Sequence, residues 1–479
     1  FQAYGQARFS NGSHPSPFRI EGVARAQNNC PVLDYHTNAR DAWIVHVETK
    51  MKPNRVLILG AGISGMSCVR HLYGERDLVV CDTRFETDQS PIPNSKTFYQ
   101  DFPEASLINP KDFDRTIGSV STLIVSPGLP LNHCFVQKAL SNGIELISDL
   151  DLFMDAVDGP VIGITGTNGK STVTTLVGAM LEDQAFGVGG NLGPPALDLL
   201  DDGFAGYVLE LSSFQLERMR AKHFDVASII NISDDHLDRH QSIEAYATVK
   251  RRIYRDCNFA VFNNDDPLSR PPDDVQSVAV NGDARWRVTE KGVLIDGRFV
   301  PNDAIKLTGD HNRFNVVTAA AIAYCASARV DTCEQAIRTF EGLPHRVQVV
   351  GVIDDVTYVN DSKATNLGSC IAALEGVITQ PSSRKIVLIA GGVGKNANFS
   401  VLGRTISGRV RSVVLIGRDA KVIAKSIPEA RVVLASSLED AVVRARMEAV
   451  SGDVVLFSPA CASYDMFENF VVRGQAFTR

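Results

Sequence analysis

A chain of 479 residues, 44% of them hydrophobic, carries enough apolar material for roughly two to four domains with separate cores. A formal charge of −7 argues against nucleic acid as a partner, although local loops and lysines can still bind anionic nucleotides. No apolar run approaches the ~18 residues of a membrane span, so no membrane insertion is expected; the nine cysteines show no CxxC pair, and reduced thiols in a cytoplasmic protein are the expectation.

Residues 1–50 mix Gly, Ser, Pro, Asn and Arg with little periodicity, and they lack the long apolar core of a secretory signal. A disordered extension, a targeting segment and translated sequence upstream of a start at Met51 all remain open, the last being favoured. No chemistry is assigned to them. The first strand is expected at Val56–Leu59, leading into Gly60–Gly65, a GxGxxG turn, and then a helix. A second strand, Leu78–Asp82, ends on an acid. Two readings stand: a tight first turn of a doubly wound sheet, or a dinucleotide site with Asp82 on a ribose hydroxyl. Thr122–Val125 continues this domain, which is expected to span 51–149.

The next strand, Pro160–Gly163, runs into Thr165–Thr172 and a periodic helix, Val173–Leu181. Strand, glycine-rich turn and helix form a phosphate cradle: backbone N–H groups and the helix N-terminus face the anion. Lys170 is placed to reach outer phosphates and Ser171 to hold Mg²⁺. Ile164 occupies the position where the usual pattern has its first glycine, so this is a variant phosphate loop. Tyr207–Leu211 is a buried strand carrying Glu210, whose carboxylate needs a cation: either Mg²⁺ or a salt-bridge partner. Ala227–Ile232 is another strand, ending at Ser233–His236. Ligands in open parallel sheets gather at strand carboxyl ends, so Lys170, Glu210 and His236 can converge. Asp234, Asp235 and Asp238 read as caps or solvated charges. Lys250 lies on a helix beside Arg251 and Arg252, which by residue pattern alone is a solvated basic face. Short alternating runs after Arg285 suggest a small antiparallel patch before a helix at Asn315–Ala328. The central domain is expected at 150–342.

The third domain, 343–479, has expected strands at Thr357–Asn360, Ile386–Ala390, Ser412–Ile416, Arg431–Leu434 and Asp453–Phe457. Asp361–Asn366, Gly391–Lys395 and Ser458–Ser463 follow strands, where binding loops belong. The fold class is therefore α/β, with three domains on mostly parallel sheets: Rossmann-like, P-loop and Rossmann-like.

Taken together, Thr165–Thr172, Asp82–Arg84, Gly189–Asn191, Glu210–Gln215, Gly342–Arg346, Asp361–Asn366 and Ser458–Ser463 resemble the ATP-dependent Mur ligases of bacterial cell-wall synthesis, over about residues 53–479. Within that family the set is most similar to the members that add D-glutamate. The resemblance implies an ATP-driven ligase joining D-glutamate to UDP-N-acetylmuramoyl-L-alanine through an acyl phosphate, working as a cytoplasmic monomer. It implies that the first domain holds a uridine nucleotide through Asp82, Thr83 and Arg84. Gly166, Thr167, Asn168, Gly169, Lys170, Ser171 and Thr172 would hold ATP, with Asn312, Asn315, Arg346, Asp361 and Lys363. Asn191, Lys395, Ser463 and Phe470 match substrate contacts. Lys170, Glu210, His236 and Lys250 match catalytic positions. Ser171, Glu210, His236 and Lys250 would serve two Mg²⁺ ions, with Lys250 carbamylated by CO₂. Gly391–Lys395 lacks an acid often present there, and Tyr464 and Met466 vary the final signature. Alternatives are a related ligase for another amino acid or for folate, a non-catalytic nucleotide sensor, and an oxidoreductase using Gly60–Gly65.

Overall fold

Three mainly parallel sheets follow one another along the chain in a computed structural model that describes residues 54–82, 95–220, 223–307, 309–377, 385–395 and 397–479. The first contains β1 (Arg55–Leu59), β2 (Asp77–Cys81), β3 (Ser106–Ile108), β4 (Thr122–Val125) and β5 (Glu145–Ile147), ordered β3-β2-β1-β4-β5 and parallel throughout. β1 is a continuous apolar run because both faces of its sheet are covered. Gly65 is required after it: a Cβ there would stand 1.9 Å from the Gly60 carbonyl oxygen, so any side chain would push the following helix off the turn. The expectations for residues 1–50, Thr83 and Arg84 lie outside the described residues.

The central sheet contains β6 (Val161–Thr165), β7 (Phe186–Gly190), β8 (Gly206–Glu210), β9 (Val226–Ile229), β10 (Phe259–Asn263) and β11 (Ser277–Val280). Its order is β11-β10-β9-β6-β8-β7, again all parallel. The helix Lys170–Met180 buries Val173, Leu176, Val177 and Met180 at helical spacing. Each contributes about 1.5–3 kcal/mol through burial. They pack in one core with the alanine-rich helix Asp310–Cys325. That helix begins five residues before the expected Asn315, because the polar first turn after Gly309 gives no apolar signal. β12 (Arg287–Thr289), β13 (Gly292–Ile295) and β14 (Arg298–Pro301) form the expected antiparallel patch. β9 stops at Ile229 rather than Ile232, since Asn231 turns its side chain onto the phosphate loop.

The third sheet contains β15 (Gln348–Ile353), β16 (Val356–Asn360), β17 (Ile386–Gly391), β18 (Val410–Ile416), β19 (Val432–Leu434) and β20 (Val454–Phe457), ordered β15-β16-β20-β17-β18-β19. It is parallel except for the edge strand β15, which the sequence reading missed and which runs antiparallel to β16. The neighbours β16, β20 and β17 release Asp361–Asn366, Ser458–Ser463 and Gly391–Lys395 side by side. No described helix is long and apolar enough to cross a membrane.

Candidate active site

The phosphate loop leaves β6 between β8 and β9, so Glu210 and the Asn231–His236 loop flank it on either side. Gly169 closes the loop with φ +82°; a Cβ there would lie 2.4 Å from Asn315 Oδ1, so glycine lets the helix Asp310–Cys325 approach the turn. The loop is tied down from β9: Asn168 N–H donates to Asn231 Oδ1 at 2.9 Å, Asn231 Nδ2 donates to the Asn168 carbonyl at 3.0 Å, and Thr167 N–H donates to the Asn231 carbonyl at 2.9 Å.

Lys170 folds back onto its own loop, donating from Nζ to the Gly166 and Thr167 carbonyls at 2.9 and 2.8 Å. Lys250 is fully buried beneath the same turn and donates to Thr165 Oγ1 at 3.1 Å and to Gly166 O at 2.9 Å. The basic-face reading of Lys250 is thereby overturned. Arg251 turns outward and Arg252 lies half-buried against the Glu217 and Met219 carbonyls, whereas Lys250 shares the buried face of helix Ile243–Arg251 with Tyr246 and Ala247. Burial, reinforced by the nearby Lys170 charge, holds the Lys250 amine well below its ordinary pKa.

Glu210 is buried at the end of β8, where its Oε1 accepts from Asn191 Nδ2 at 2.6 Å. Its Oε2 is a buried oxygen without a hydrogen-bond partner. Burial opposes ionisation, but Lys170, Ser171, Asn191 and Lys363 outweigh it and keep the carboxyl below its usual range. An unsatisfied anionic oxygen beside a serine hydroxyl fits a hard divalent cation completed by phosphate oxygens. Among the described residues no group of three or more His, Cys, Asp or Glu is gathered closely enough to hold a metal ion by itself.

The third sheet completes the pocket. Arg346 Nη2 donates to Ser171 Oγ at 2.8 Å. Lys363 Nζ stands 3.9 Å from the centre of the Phe470 ring, and burial lowers its pKa to about 8. Lys395 Nζ lies 3.6 Å from Asp235 Oδ1. Glu210, Asn191, His236, Lys250, Lys363, Lys395, Ser463 and Phe470 thus line one cavity of about 350 Å³ with the phosphate loop. Asn312, Asn315, Asp361 and Thr172 instead line an adjoining cavity of about 190 Å³, on the far side of Arg346. A third cleft, about 820 Å³, runs from Gly128–Asn132 of the first domain to His236, Lys395 and Tyr464. Asp82 is not in these cavities; its Oδ2 accepts from Ala61 N–H at 2.8 Å, bracing the first glycine turn. His236, Lys395 and Ala460 all have positive φ (+53°, +50° and +57°) on the loops that meet at the site.

Asp235, read from sequence as a cap or a solvated charge, is neither. It is largely buried, and although burial resists ionisation, Lys395, His236 and Asn366 hold it below the usual carboxylate range. Asp419 was missed entirely: its Oδ2 accepts from Gly394 N–H at 2.7 Å and so props up the loop carrying Lys395. Neither residue stands out by spacing, since each acts across a fold-level contact.

Family models match three consecutive stretches: the Mur ligase MurD-like N-terminal domain at residues 54–148, the Mur ligase middle domain at 164–323 and the Mur ligase glutamate ligase domain at 345–461. A UDP-N-acetylmuramoylalanine--D-glutamate ligase of Marinobacter nauticus is 41% identical over 442 residues, covering 88% of this chain and 97% of that protein. The chain belongs to the Mur ligase family. A protein of the same name from Saccharophagus degradans is 42% identical over 441 residues, 88% of this chain and 96% of its own. In fold, this Mur ligase is similar to the solved MurF of Acinetobacter baumannii, with a TM-score of 0.59 at 16% identity over 88% of this chain and 93% of that one. The dinucleotide reading of Gly60–Gly65 therefore gives way to a Mur ligase first domain.

Proposed function

We propose that this chain joins D-glutamate to UDP-N-acetylmuramoyl-L-alanine at the expense of ATP, in the division of labour 51–149 for the uridine nucleotide, 150–342 for ATP and 343–479 for the amino acid together with further contacts to ATP. The observation that carries this reading is the single cavity in which the phosphate loop and Glu210 face Lys363, Lys395 and Ser463 from the third sheet. A site so rich in cations suits three anionic partners: a polyphosphate, an acceptor carboxylate and a dicarboxylic amino acid. The names of the 41–42% identical relatives point to the same pair of substrates.

The acceptor would enter along the cleft from Gly128–Asn132, which reaches His236, placing its alanyl carboxylate in the phosphate-loop cavity that Asn191 and His236 both line. ATP would lie over the phosphate loop with its base towards Asn312, Asn315 and Asp361. The acceptor carboxylate attacks the γ-phosphorus and ADP leaves. Lys170, released from its loop carbonyls, and Arg346 neutralise the crowded oxygens, since phosphoryl transfer depends on positioning and charge compensation. The neutral amine of D-glutamate, held through Lys395, Ser463 and Phe470, then attacks the acyl carbon; the C–N bond forms, the nitrogen gives up one proton, the C–O bond to phosphate breaks, and the phosphate leaves carrying that proton. Ser171 and Glu210 would hold one Mg²⁺, and His236 with modified Lys250 a second. Bound there, Mg²⁺ would offset phosphate charge. Excluding water from the shut cavity protects the acyl phosphate from hydrolysis.

Carbamylation of Lys250 fits this scheme. A neutral amine adds to CO₂ and loses a proton, turning a buried uncharged group into an anion among Lys170, Arg346, Lys363 and Lys395. Both hydrogen-bond partners of Nζ are neutral oxygens, and the pull of the Asp235 and Glu210 carboxylates is outweighed by burial and the Lys170 charge. Carbon-13 bicarbonate should give a protein-bound carbamate resonance in the wild type that Lys250→Met lacks.

The deciding experiment supplies ATP, Mg²⁺ and UDP-N-acetylmuramoyl-L-alanine with one amino acid at a time, following phosphate release and product mass. D-glutamate alone should support turnover. Preference for another amino acid, or for a folate acceptor, would overturn the assignment; ATP binding without turnover would leave a nucleotide sensor. A cytoplasmic, monomeric enzyme is part of the same proposal.

A further inference from the structure

Asn366 opens the helix Leu367–Val377 at the mouth of the active-site cavity. Its side chain has two separate jobs. Oδ1 accepts from Ser369 N–H at 2.9 Å, capping the helix within the third domain. Nδ2 points the other way, across the domain boundary. It donates to Asp235 Oδ2 at 3.0 Å, on the loop after β9, and to Asn168 Oδ1 at 3.3 Å, on the phosphate loop. Ser369 Oγ, one turn on, lies 2.6 Å from the same Asn168 oxygen. Gly368 between them makes room for this approach: a Cβ there would already stand 3.4 Å from Asn168 Nδ2 and 3.9 Å from Ser233 Oγ, so a longer side chain would wedge the surfaces apart.

We propose that Asn366 is a positioning residue that latches the third domain onto the phosphate loop and Asp235, so that closure and the seating of nucleotide are one event. This rests on the ligase reading above. The geometry of the contact supports it. Asp235 Oδ2 accepts from Nδ2 at 3.0 Å, a bond between the two domains that a side chain without an amide N–H cannot make. Asp235 also faces Lys395, which places the amino-acid side of the pocket on the same anchor. Opening the latch would therefore withdraw Lys395 and Ser463 from the cavity while loosening Asn168 at its other end.

The two jobs can be separated, because Asp and Ser cap helices about as well as Asn. Asn366→Asp keeps the cap but sets a carboxylate against Asp235 and the Asn168 oxygen. Asn366→Ser keeps the cap and loses the reach. Gly368→Leu leaves Asn366 intact and inserts a wedge. All three should retain the wild-type melting temperature to within a few degrees. With a non-hydrolysable ATP analogue and Mg²⁺, solution scattering should show each more expanded than the wild type. Turnover should fall about 10- to 100-fold for Asn366→Asp, as expected for a lost hydrogen bond. KM for D-glutamate should rise, while KM for the nucleotide acceptor, bound by the other two domains, stays level. A capping role alone predicts that Asn366→Asp and Asn366→Ser behave as wild type in both assays, and that result overturns the latch. So does a fall in kcat with unchanged scattering. If the wild type itself makes no product, the ligase reading fails, yet the scattering comparison still decides the latch.

Discussion

Replacing Lys250 with methionine should stabilise the resting protein while abolishing its turnover. The lysine amine is fully buried, close to Lys170, and its bonds run only to Thr165 Oγ1 and Gly166 O. Methionine fills a similar volume and removes the desolvated amine. Neither oxygen is orphaned by the change: Thr165 Oγ1 still donates to the Leu211 carbonyl at 2.7 Å, and Gly166 O still accepts from Lys170 at 2.9 Å. Replacing a buried polar group that has no ionic partner by an apolar one of similar volume removes a desolvation cost of about 1–3 kcal/mol. At about 2–4 °C per kcal/mol for a domain of this size, melting should rise by a few degrees. The sign of the pH dependence follows from linkage. The folded pKa lies below the unfolded value near 10.5, so the unfolded chain binds the extra proton between them and wild-type stability climbs with pH across that window. The advantage of Lys250→Met should thus be largest near neutrality and shrink towards pH 10.5. Calorimetry in bicarbonate-free buffer at several pH values, paired with phosphate-release assays, gives both quantities. Lower melting of the variant at neutral pH would mean that the fold relies on a charged Lys250, and the argument for a neutral, CO₂-reactive amine would fail.

Three further outcomes are expected. Glu210→Gln keeps an oxygen for Asn191 but loses the anion beside Ser171; the Mg²⁺ concentration for half-maximal turnover should rise about tenfold or more, and an unchanged Mg²⁺ titration would exclude Glu210 as a ligand. Burial raises the Asp361 pKa to about 7, so its stabilising protonation is lost as pH rises through 7; melting of Asp361→Asn should lack that decline, worth up to about 4 kcal/mol between pH 4 and 7. Arg473 is buried and donates to Ser362 Oγ, Ser362 O and Cys461 O at 3.1, 2.7 and 3.0 Å, which one lysine amine cannot reproduce; Arg473→Lys should cost about 2–4 kcal/mol by denaturant unfolding.

Local chemistry made most of the framework readable. A continuous apolar run such as Val56–Leu59, followed by glycines and a helix, signals a buried parallel strand and its turn without outside help. The phosphate loop was equally plain, because its glycines, lysine and serine act within one turn. Lys250 was the opposite case. Its neighbours Arg251 and Arg252 are exposed or half-exposed, and only the helix's rotational setting, fixed by distant packing, decides which of the three goes inside. Family resemblance singled it out where periodicity did not. Asp235 and Asn366 lie 131 positions apart and acquire meaning only when the third domain meets the second. The edge strand β15 escaped notice because its Val349, Val352 and Ile353 are exposed rather than paired with a clear polar alternation.

Lys170 and Lys250 share one resting acceptor, the carbonyl of Gly166. Since that oxygen belongs to the main chain, no exchange of side chains can delete it. The turn thus offers its two lysines a common main-chain docking point, and an incoming anion competes there with a peptide dipole. Such a rest position is strong enough to park the amines yet weak enough to surrender them, and it would survive extensive drift in the surrounding sequence.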